Sequence, residues 1–285
     1  MKNKVIVLGA LGMAGHIMTE YLKGTGDYDV LGVARQPGRL IDQVLDVTDF
    51  EALKQYLEQQ KPNYLINCVG ALVSYSSQDA SSAILLNSYL PHFLSKTGEN
   101  IGYKLVHIST DCVFSGKKGA YTEDSLKDGD DTYARSKALG EIINDRDLTI
   151  RTSIIGPELK ANGTGLLDWF LKQQEPVKGY SKAFWSGVTT LELAKAADQM
   201  IRQNICGLFH LCPQNKISKY DLLKLLVGVF GKKLIVSPFD GYSADKSLVC
   251  TRRDFTYPRL EYQLMLEEMK EWMDDRSSYY LHYTS

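Results

Sequence analysis

Tyr133 and Lys137 stand four residues apart in the stretch Tyr-Ala-Arg-Ser-Lys, a spacing that sets both side chains on one face of a helix. An ammonium fixed beside a phenol favours phenolate and lowers the phenol's pKa from its ordinary value near ~10. Tyr133 is therefore a candidate acid/base near neutral pH, with Lys137 tuning it. Upstream, the apolar run 104–108 leads into Ser109-Thr110-Asp111. The Thr110 hydroxyl thus comes at the end of an expected strand, where it could hold a substrate oxygen.

These groups need a partner for their chemistry, and the amino-terminal residues offer a place for one. Val5 to Leu8 reads as a short strand, Gly9-Ala-Leu-Gly12-Met-Ala-Gly15 follows at once, and a helical pattern begins at His16. Strand, glycines and helix form the first half of a nucleotide-binding unit: the glycines admit a pyrophosphate and the helix start supplies free N–H groups. The spacing is G-x-x-G-x-x-G rather than G-x-G-x-x-G. The second strand, Tyr28 to Ala34, ends in Ala34-Arg35-Gln36, with Arg39 shortly after and no acid in place. An acid there would hold a ribose 2′-hydroxyl and a base a 2′-phosphate, so NADP(H) is favoured, with NAD(H) as the alternative.

The bulk composition fits an ordinary globular protein. The chain has 285 residues, 44% apolar and 24% charged, with a formal net charge of -1. Such a balance gives no basic field for nucleic acid or a membrane surface. No run approaches the ~18 apolar residues of a membrane span. The opening MKNKVIVLGALGMAG is read as strand and glycine loop, not a signal peptide, because its apolar run is short and His16 and Glu20 follow at helical spacing. Five cysteines without metal-like spacing agree with a reducing, cytoplasmic setting.

Strands and helices alternate along the rest. Thr48 or Asp49 would cap a helix over 50–59, and 64–69 is a third strand ending at Gly70. The helical pattern over 81–96 contains Pro91, a kink or break, and Asn87, whose amide needs a partner. The helix bearing Lys137 is expected to run on through Ile142-Ile143, and 148–155 to form a further strand. This argues for a parallel, doubly wound Rossmann-like α/β sheet, with ligands outside the carboxyl ends of its strands. Beyond Glu158 come a helix over 166–174, an aromatic loop over 178–190, a helix over 191–204 and a strand over 207–211. A helix from Ser218, a short strand over 234–236 and a last helix around 263–273 complete the chain. The expected division is a cofactor domain of 1–157 and 183–212, with a smaller α/β substrate lobe of 158–182 and 213–285.

With these motifs placed, the sequence resembles the extended short-chain dehydrogenase/reductases, most closely the dTDP-4-dehydrorhamnose reductase branch. The phrase STDxVFSG…YTE…YxxSK carries the likeness, and Arg151-Thr152-Ser153, Gly-Val-Thr-Thr at 187–190 and 207–211 extend it to about Gln214. The resemblance implies an NAD(P)H-dependent oxidoreductase that reduces a nucleoside-diphosphate 4-keto-6-deoxy sugar for surface polysaccharide synthesis. Thr110 would bind the 4-keto oxygen, Tyr133 would protonate it, and Lys137 would hold the nicotinamide ribose. The cofactor groove is expected from Gly9, Gly12, Met13, Gly15, Arg35, Asp46, Val47, Cys68, Val69, Gly70 and Asn87, together with Tyr133 and Lys137. Asp111, Cys112, Lys178, Tyr180, Trp185, Arg252 and Arg253 are the substrate candidates, the aromatics for a nucleobase and the arginines for a diphosphate.

Two features depart from the branch. Cys112 stands where those reductases usually carry tyrosine, which also resembles GDP-fucose synthase, where a cysteine serves epimerisation. No histidine lies between His107 and His210, so an epimerase or epimerase-reductase would lack its second group, and Cys112 reads better as packing. Relatives can also use Mg²⁺. The acids Glu123, Asp124, Asp128, Asp130 and Asp131 read instead as a solvated loop, with no metal expected. The remaining rival is a non-catalytic, cofactor-binding regulator. The assembly is expected to be a homodimer or monomer.

Overall fold

The computed structural model describes residues 2–255, 257–258 and 261–283. In chain order its strands are β1 (Asn3–Leu8), β2 (Tyr28–Ala34), β3 (Gln43–Val44), β4 (Tyr64–Asn67), β5 (Lys104–Thr110), β6 (Leu148–Thr152), β7 (Ile154–Ile155), β8 (Val177–Trp185), β9 (Val188–Thr189), β10 (Gly207–His210), β11 (Ile217–Ser218) and β12 (Val236–Asp245). Its α-helices are α1 (Met13–Thr25), α2 (Phe50–Gln60), α3 (Val73–Gln78), α4 (Ala80–Ile84), α5 (Leu90–Ile101), α6 (Thr132–Leu139), α7 (Leu166–Lys172), α8 (Thr190–Arg202), α9 (Lys219–Phe230) and α10 (Tyr262–Asp275).

The main sheet has seven strands in the order β10-β6-β5-β4-β1-β2-β3, every pair parallel. Strands of such sheets are covered on both faces and so read as continuous apolar runs. Val5 and Val7 pack with Ile17 and Met18 of α1 and Ala197 and Met200 of α8. Ile6 and Leu8 point the other way, against Leu53 and Leu57 of α2 and Leu90 and Leu94 of α5. The order reverses between β1 and β4, so the strand ends carrying Gly9, Gly70 and Thr110 open on one crevice.

A second sheet, β11-β8-β12, packs with α9 and α10 over a core that includes Trp185, Leu222, Leu226 and Met269. The stretch expected as an aromatic loop is thus mostly strand β8, and the expected boundary at 182/183 falls inside it. Of the short strand expected over 234–236 only Val236 is strand, the first residue of β12. No described helix is long and apolar enough to cross a membrane.

Two helices differ from their sequence patterns for steric reasons. Helix α6 stops at Leu139 instead of continuing through Ile142-Ile143. A Cβ on Gly140 would lie 1.8 Å from the Asn87 carbonyl oxygen, so this glycine lets α6 end against the helix beside it. Around Pro91 the pattern stays helical but is not regular: Pro91 lies in the first turn of α5 and the residue before that helix, Tyr89, is already helical. The irregularity lies just before it, as a π-helical turn over Leu85–Tyr89.

Candidate active site

Gly9 takes the left-handed conformation (φ +79°), and a Cβ on Gly15 would lie 2.1 Å from the Gly9 carbonyl oxygen. Only glycine lets the loop fold this tightly onto the start of α1. That helix begins after Gly12 with no side-chain cap and no acid in its first turn. Its free N–H groups and positive end are left for an anionic ligand, and they fit a dinucleotide's pyrophosphate. A Cβ on Gly9 would meet the Cys68 backbone and the Val69 side chain at 3.1 Å, so β4's end borders the loop as expected. Met13 faces the 158–165 loop, since a Cβ on Gly165 would come within 2.4 Å of its Cε.

Asp131 caps α6 by accepting from the Ala134 N–H at 2.7 Å. Tyr133 and Lys137 then project one turn apart beside the end of β5. The Lys137 ammonium donates to the Ile108 carbonyl at 2.7 Å. Burial pulls Lys137 down to about 8, while Glu141 and Cys68 hold it up. The expectation of an acidified phenol is not met in the free chain. Burial pushes Tyr133 above its ordinary value, the nearby Cys112 adds to the rise, and the Thr110 hydroxyl, as a donor to the phenolate, opposes it. The site therefore holds Tyr133 as a neutral phenol.

The π-helical turn holds α6 in place. Asn87 is fully buried, and its amide donates to the Ser136 hydroxyl (3.0 Å) and the Ala71 carbonyl (3.1 Å). Its oxygen accepts from the Ala71 N–H at 2.8 Å. Ser88 adds a bond to the Ser136 carbonyl at 2.7 Å. Asn87 thus reaches the site through Ala71 and Ser136, with Gly70 alongside it. Such turns recur at functional sites.

Behind Thr110 lies a buried ion pair that sequence reasoning passed over. Arg151 clasps Glu141 with two bonds of 2.7 and 2.6 Å, and Ser109 donates to the same carboxylate at 2.7 Å. The Arg151 side chain also contacts His210 at 2.7 Å. Its positive charge makes it the donor, so His210 Nε2 accepts and Nδ1 carries the proton given to the Val249 carbonyl.

Asp111, only 5% exposed, is raised by burial, with Lys219 and Lys246 pulling it back. Neither ammonium has a hydrogen bond or ion pair among the described residues, and Lys219 lies 5.1 Å over the Trp185 ring. Burial and Asp111 push the Cys112 thiol up to about 11, so it stays protonated at neutral pH. Sequence reasoning missed both lysines. Lys219 had a signal, since it opens α9 just after the Ser218 cap; Lys246 had none, being brought in by the turn after β12.

Three substrate candidates, Trp185, Arg252 and Arg253, are corrected. Trp185 is 4% exposed and packed in the core against Tyr262, so its ring offers no stacking face to a nucleobase. Lys178 alternates onto the solvent face of β8, over Phe239. Arg252 donates to the Cys206 and Leu208 carbonyls, at the amino end of β10. Register carries that end to Leu148 and Val106, while Thr110 pairs with Thr152 at the opposite end. Arg253 is exposed beside it.

Other expected residues have local duties. Asp46 accepts from the Thr48 N–H and hydroxyl, with Arg35 contributing charge nearby, and the Val47 side chain is in the core. Of the acidic loop, Glu123 accepts from Thr251 and Asp128 from Ser115. No cluster of His, Cys, Asp or Glu suited to a metal ion occurs among the described residues.

A glycine loop on a seven-stranded parallel sheet, with Thr110, Tyr133 and Lys137 at its carboxyl edge, defines a Rossmann-like dehydrogenase/reductase. Within that class, the chain belongs to the RmlD substrate binding domain family, whose profile matches residues 3–243. It is 24% identical over 239 residues to a dTDP-4-keto-6-deoxy-D-glucose reductase of Streptomyces niveus, covering 81% of this chain and 80% of that protein. It is also 23% identical over 245 residues to methionine adenosyltransferase 2 subunit beta of Xenopus tropicalis, covering 80% and 72%. In fold it is similar to a dTDP-4-dehydrorhamnose reductase of Bacillus anthracis str. Ames solved with NADP (TM-score 0.82, 22% identity, 95% of this chain and 100% of that one).

Proposed function

We propose that this chain is a cytoplasmic NAD(P)H-dependent reductase of a nucleotide-activated 4-keto-6-deoxy sugar, working as a homodimer or monomer. One observation carries the reading: the Thr110 and Tyr133 hydroxyls are neighbours at the sheet's carboxyl edge, with the Lys137 ammonium buried behind them. The uncapped glycine-loop helix supports the cofactor assignment.

A bound reduced nicotinamide supplies hydride to the sugar's carbonyl carbon. Thr110 donates a hydrogen bond to the carbonyl oxygen. Tyr133, which burial keeps protonated, gives its proton to that oxygen as negative charge develops there. Lys137, anchored on the Ile108 carbonyl, stabilises the phenolate left behind. Lys219 and Lys246 supply positive charge for the substrate's diphosphate.

Cofactor oxidation measured across dTDP-, UDP-, GDP- and CDP-4-keto-6-deoxy sugars tests the reading, and no turnover with any of them defeats it. Epimerisation has less support, because a thiol at about 11 is a poor base. Solvent deuterium at C3 or C5 of the product would restore that rival. The subunit-beta relative motivates the regulator reading; an intact Tyr133 and Lys137 weigh against it. Tyr133→Phe separates the two, since it should abolish reduction.

A further inference from the structure

The last described residues fold back onto the glycine loop. Tyr280 is 2% exposed and its hydroxyl lies 2.9 Å from His16 Nε2, while His16 Nδ1 lies 2.8 Å from the Gly12 carbonyl oxygen. That carbonyl can only accept, so Nδ1 carries the proton and Tyr280 donates to Nε2. Three residues on, the Tyr283 hydroxyl accepts from the Glu158 N–H at 3.0 Å. The Glu158 carboxylate in turn accepts from the N–H groups of Thr164 and Gly165. The carboxy-terminal segment therefore touches both banks of the glycine-loop crevice.

Between these anchors lies a cavity of about 260 Å³ lined by Leu11, Arg39, Leu40, Leu159, Ser278 and Tyr279. Leu11 belongs to the glycine loop, and Arg39 and Leu40 follow β2. In sheets of this kind those two elements bracket the adenosine ribose of a dinucleotide. The Arg39 guanidinium lies 4.8 Å from the centre of the Tyr279 ring and has no hydrogen bond or ion pair among the described residues. Tyr279 is itself fixed, its hydroxyl donating to Glu20 at 3.3 Å. Arg39, Ser278 and Tyr279 also border an adjoining depression with the acids Glu20 and Asp275, where Glu20 is faced by Arg276 at 3.6 Å.

We propose that Ser277–Tyr280 is part of the cofactor site: Tyr279 holds Arg39 in place, and with Ser278 they receive a phosphate on the 2′-oxygen of the adenosine ribose. An unpaired cation held against a ring, beside a hydroxyl and next to the glycine loop, suits a dianion better than the bare ribose. This deepens the reductase reading and rests on it.

The test is titration calorimetry with adenosine 2′,5′-bisphosphate and adenosine 5′-monophosphate, which differ only in the 2′-phosphate. The unaltered chain should prefer the bisphosphate by roughly 10- to 100-fold, the range for a charged hydrogen bond. Arg39→Gln and Tyr279→Leu should remove most of that preference while leaving monophosphate binding in place. Ser278→Asp, at an exposed position, should reverse it by setting a carboxylate beside the phosphate. A preference that survives either Ser278→Asp or Tyr279→Leu overturns the proposal, as does monophosphate binding with no preference in the unaltered chain. If the unaltered chain binds neither nucleotide, the reductase reading falls as well.

Discussion

The Asn87 side-chain amide donates to the Ser136 hydroxyl at 3.0 Å, one residue before Lys137 on α6. Through this bond the π-helical turn fixes the helix that carries the acid. Asn87→Leu would leave the Ser136 hydroxyl and the Ala71 N–H without their buried partner. The expected cost is about 1–3 kcal/mol of stability, together with a roughly 10- to 100-fold fall in kcat as Tyr133 shifts. The KM for the sugar should change little, because Asn87 is fully buried. Denaturant midpoints and steady-state kinetics read both, and an unchanged kcat in a destabilised variant would make Asn87 purely structural.

Lys137 should set the alkaline limit of the proposed reduction. Burial brings it to about 8, whereas Tyr133 is pushed up and keeps its proton well beyond that. As pH rises through about 8, Lys137 loses the charge that stabilises the phenolate left by proton donation. The kcat/KM for reduction reports the free chain and should fall over that interval. Lys137→Met should lower the rate throughout and flatten the profile. A rate constant to pH 10 in the unaltered chain would rule this out.

The ion pair behind Thr110 is buried on both sides, with Arg151 and Glu141 side chains 1% and 0% exposed. Removing Arg151 leaves Glu141 in a poorly polarisable interior with the partly exposed Lys127, 3.1 Å away, as its remaining counter-charge. Arg151→Met should therefore destabilise by about 3 kcal/mol, the low end for a broken buried pair, with a lesser loss for Glu141→Gln, which keeps acceptor and shape. Thermal unfolding of the two variants gives the comparison. Equal, small losses would show that water reaches the pair.

The sheet and the grouping of Thr110, Tyr133 and Lys137 were legible because both are written in local spacing. Apolar runs alternate with helical patterns, and Thr110, Tyr133 and Lys137 lie at a strand end and one helical turn apart. The substrate lobe was not legible in this way. Trp185 looks like a stacking platform as a residue type, yet β8 alternates and turns it into the core beneath α9 and α10. Arg252 looks like a diphosphate ligand, but the loop carrying it runs along the amino end of β10. Lys246 and the Tyr279–Arg39 contact depend on pairings across most of the chain, which no local pattern encodes. Even the phenol's acidity was misjudged for a physical reason: spacing shows the neighbouring ammonium but not the desolvation that outweighs it.

Three buried histidines make the fold sensitive to acid. Burial lowers His16 and His210 to about 4 from 6.5 and His107 well below 6.5. Between these values the unfolded chain binds more protons than the folded one, so stability is full above about 6.5 and declines as pH falls toward 4. From pH 7 to pH 5 each histidine should cost on the order of 2 kcal/mol. His210→Gln should weaken that dependence, and denaturant midpoints at the two pH values measure it. An identical slope in the variant would place the acid sensitivity in His16 and His107 instead.

Lys219 and Lys246 provide the last prediction. Both face Asp111 without an ion pair closing on it, so their charge is available to an incoming anion. Replacing either with methionine keeps its length and removes that charge. The KM for the nucleotide sugar should rise about tenfold per lysine, with kcat nearly kept, since uniform binding is lost and not transition-state binding. Ionic strength separates this from a packing defect. Salt should raise the KM of the unaltered chain, and the double variant should lose most of that dependence. If each variant lowers kcat and leaves KM alone, the lysines act on Asp111 and the reacting carbonyl, and the diphosphate must be held elsewhere.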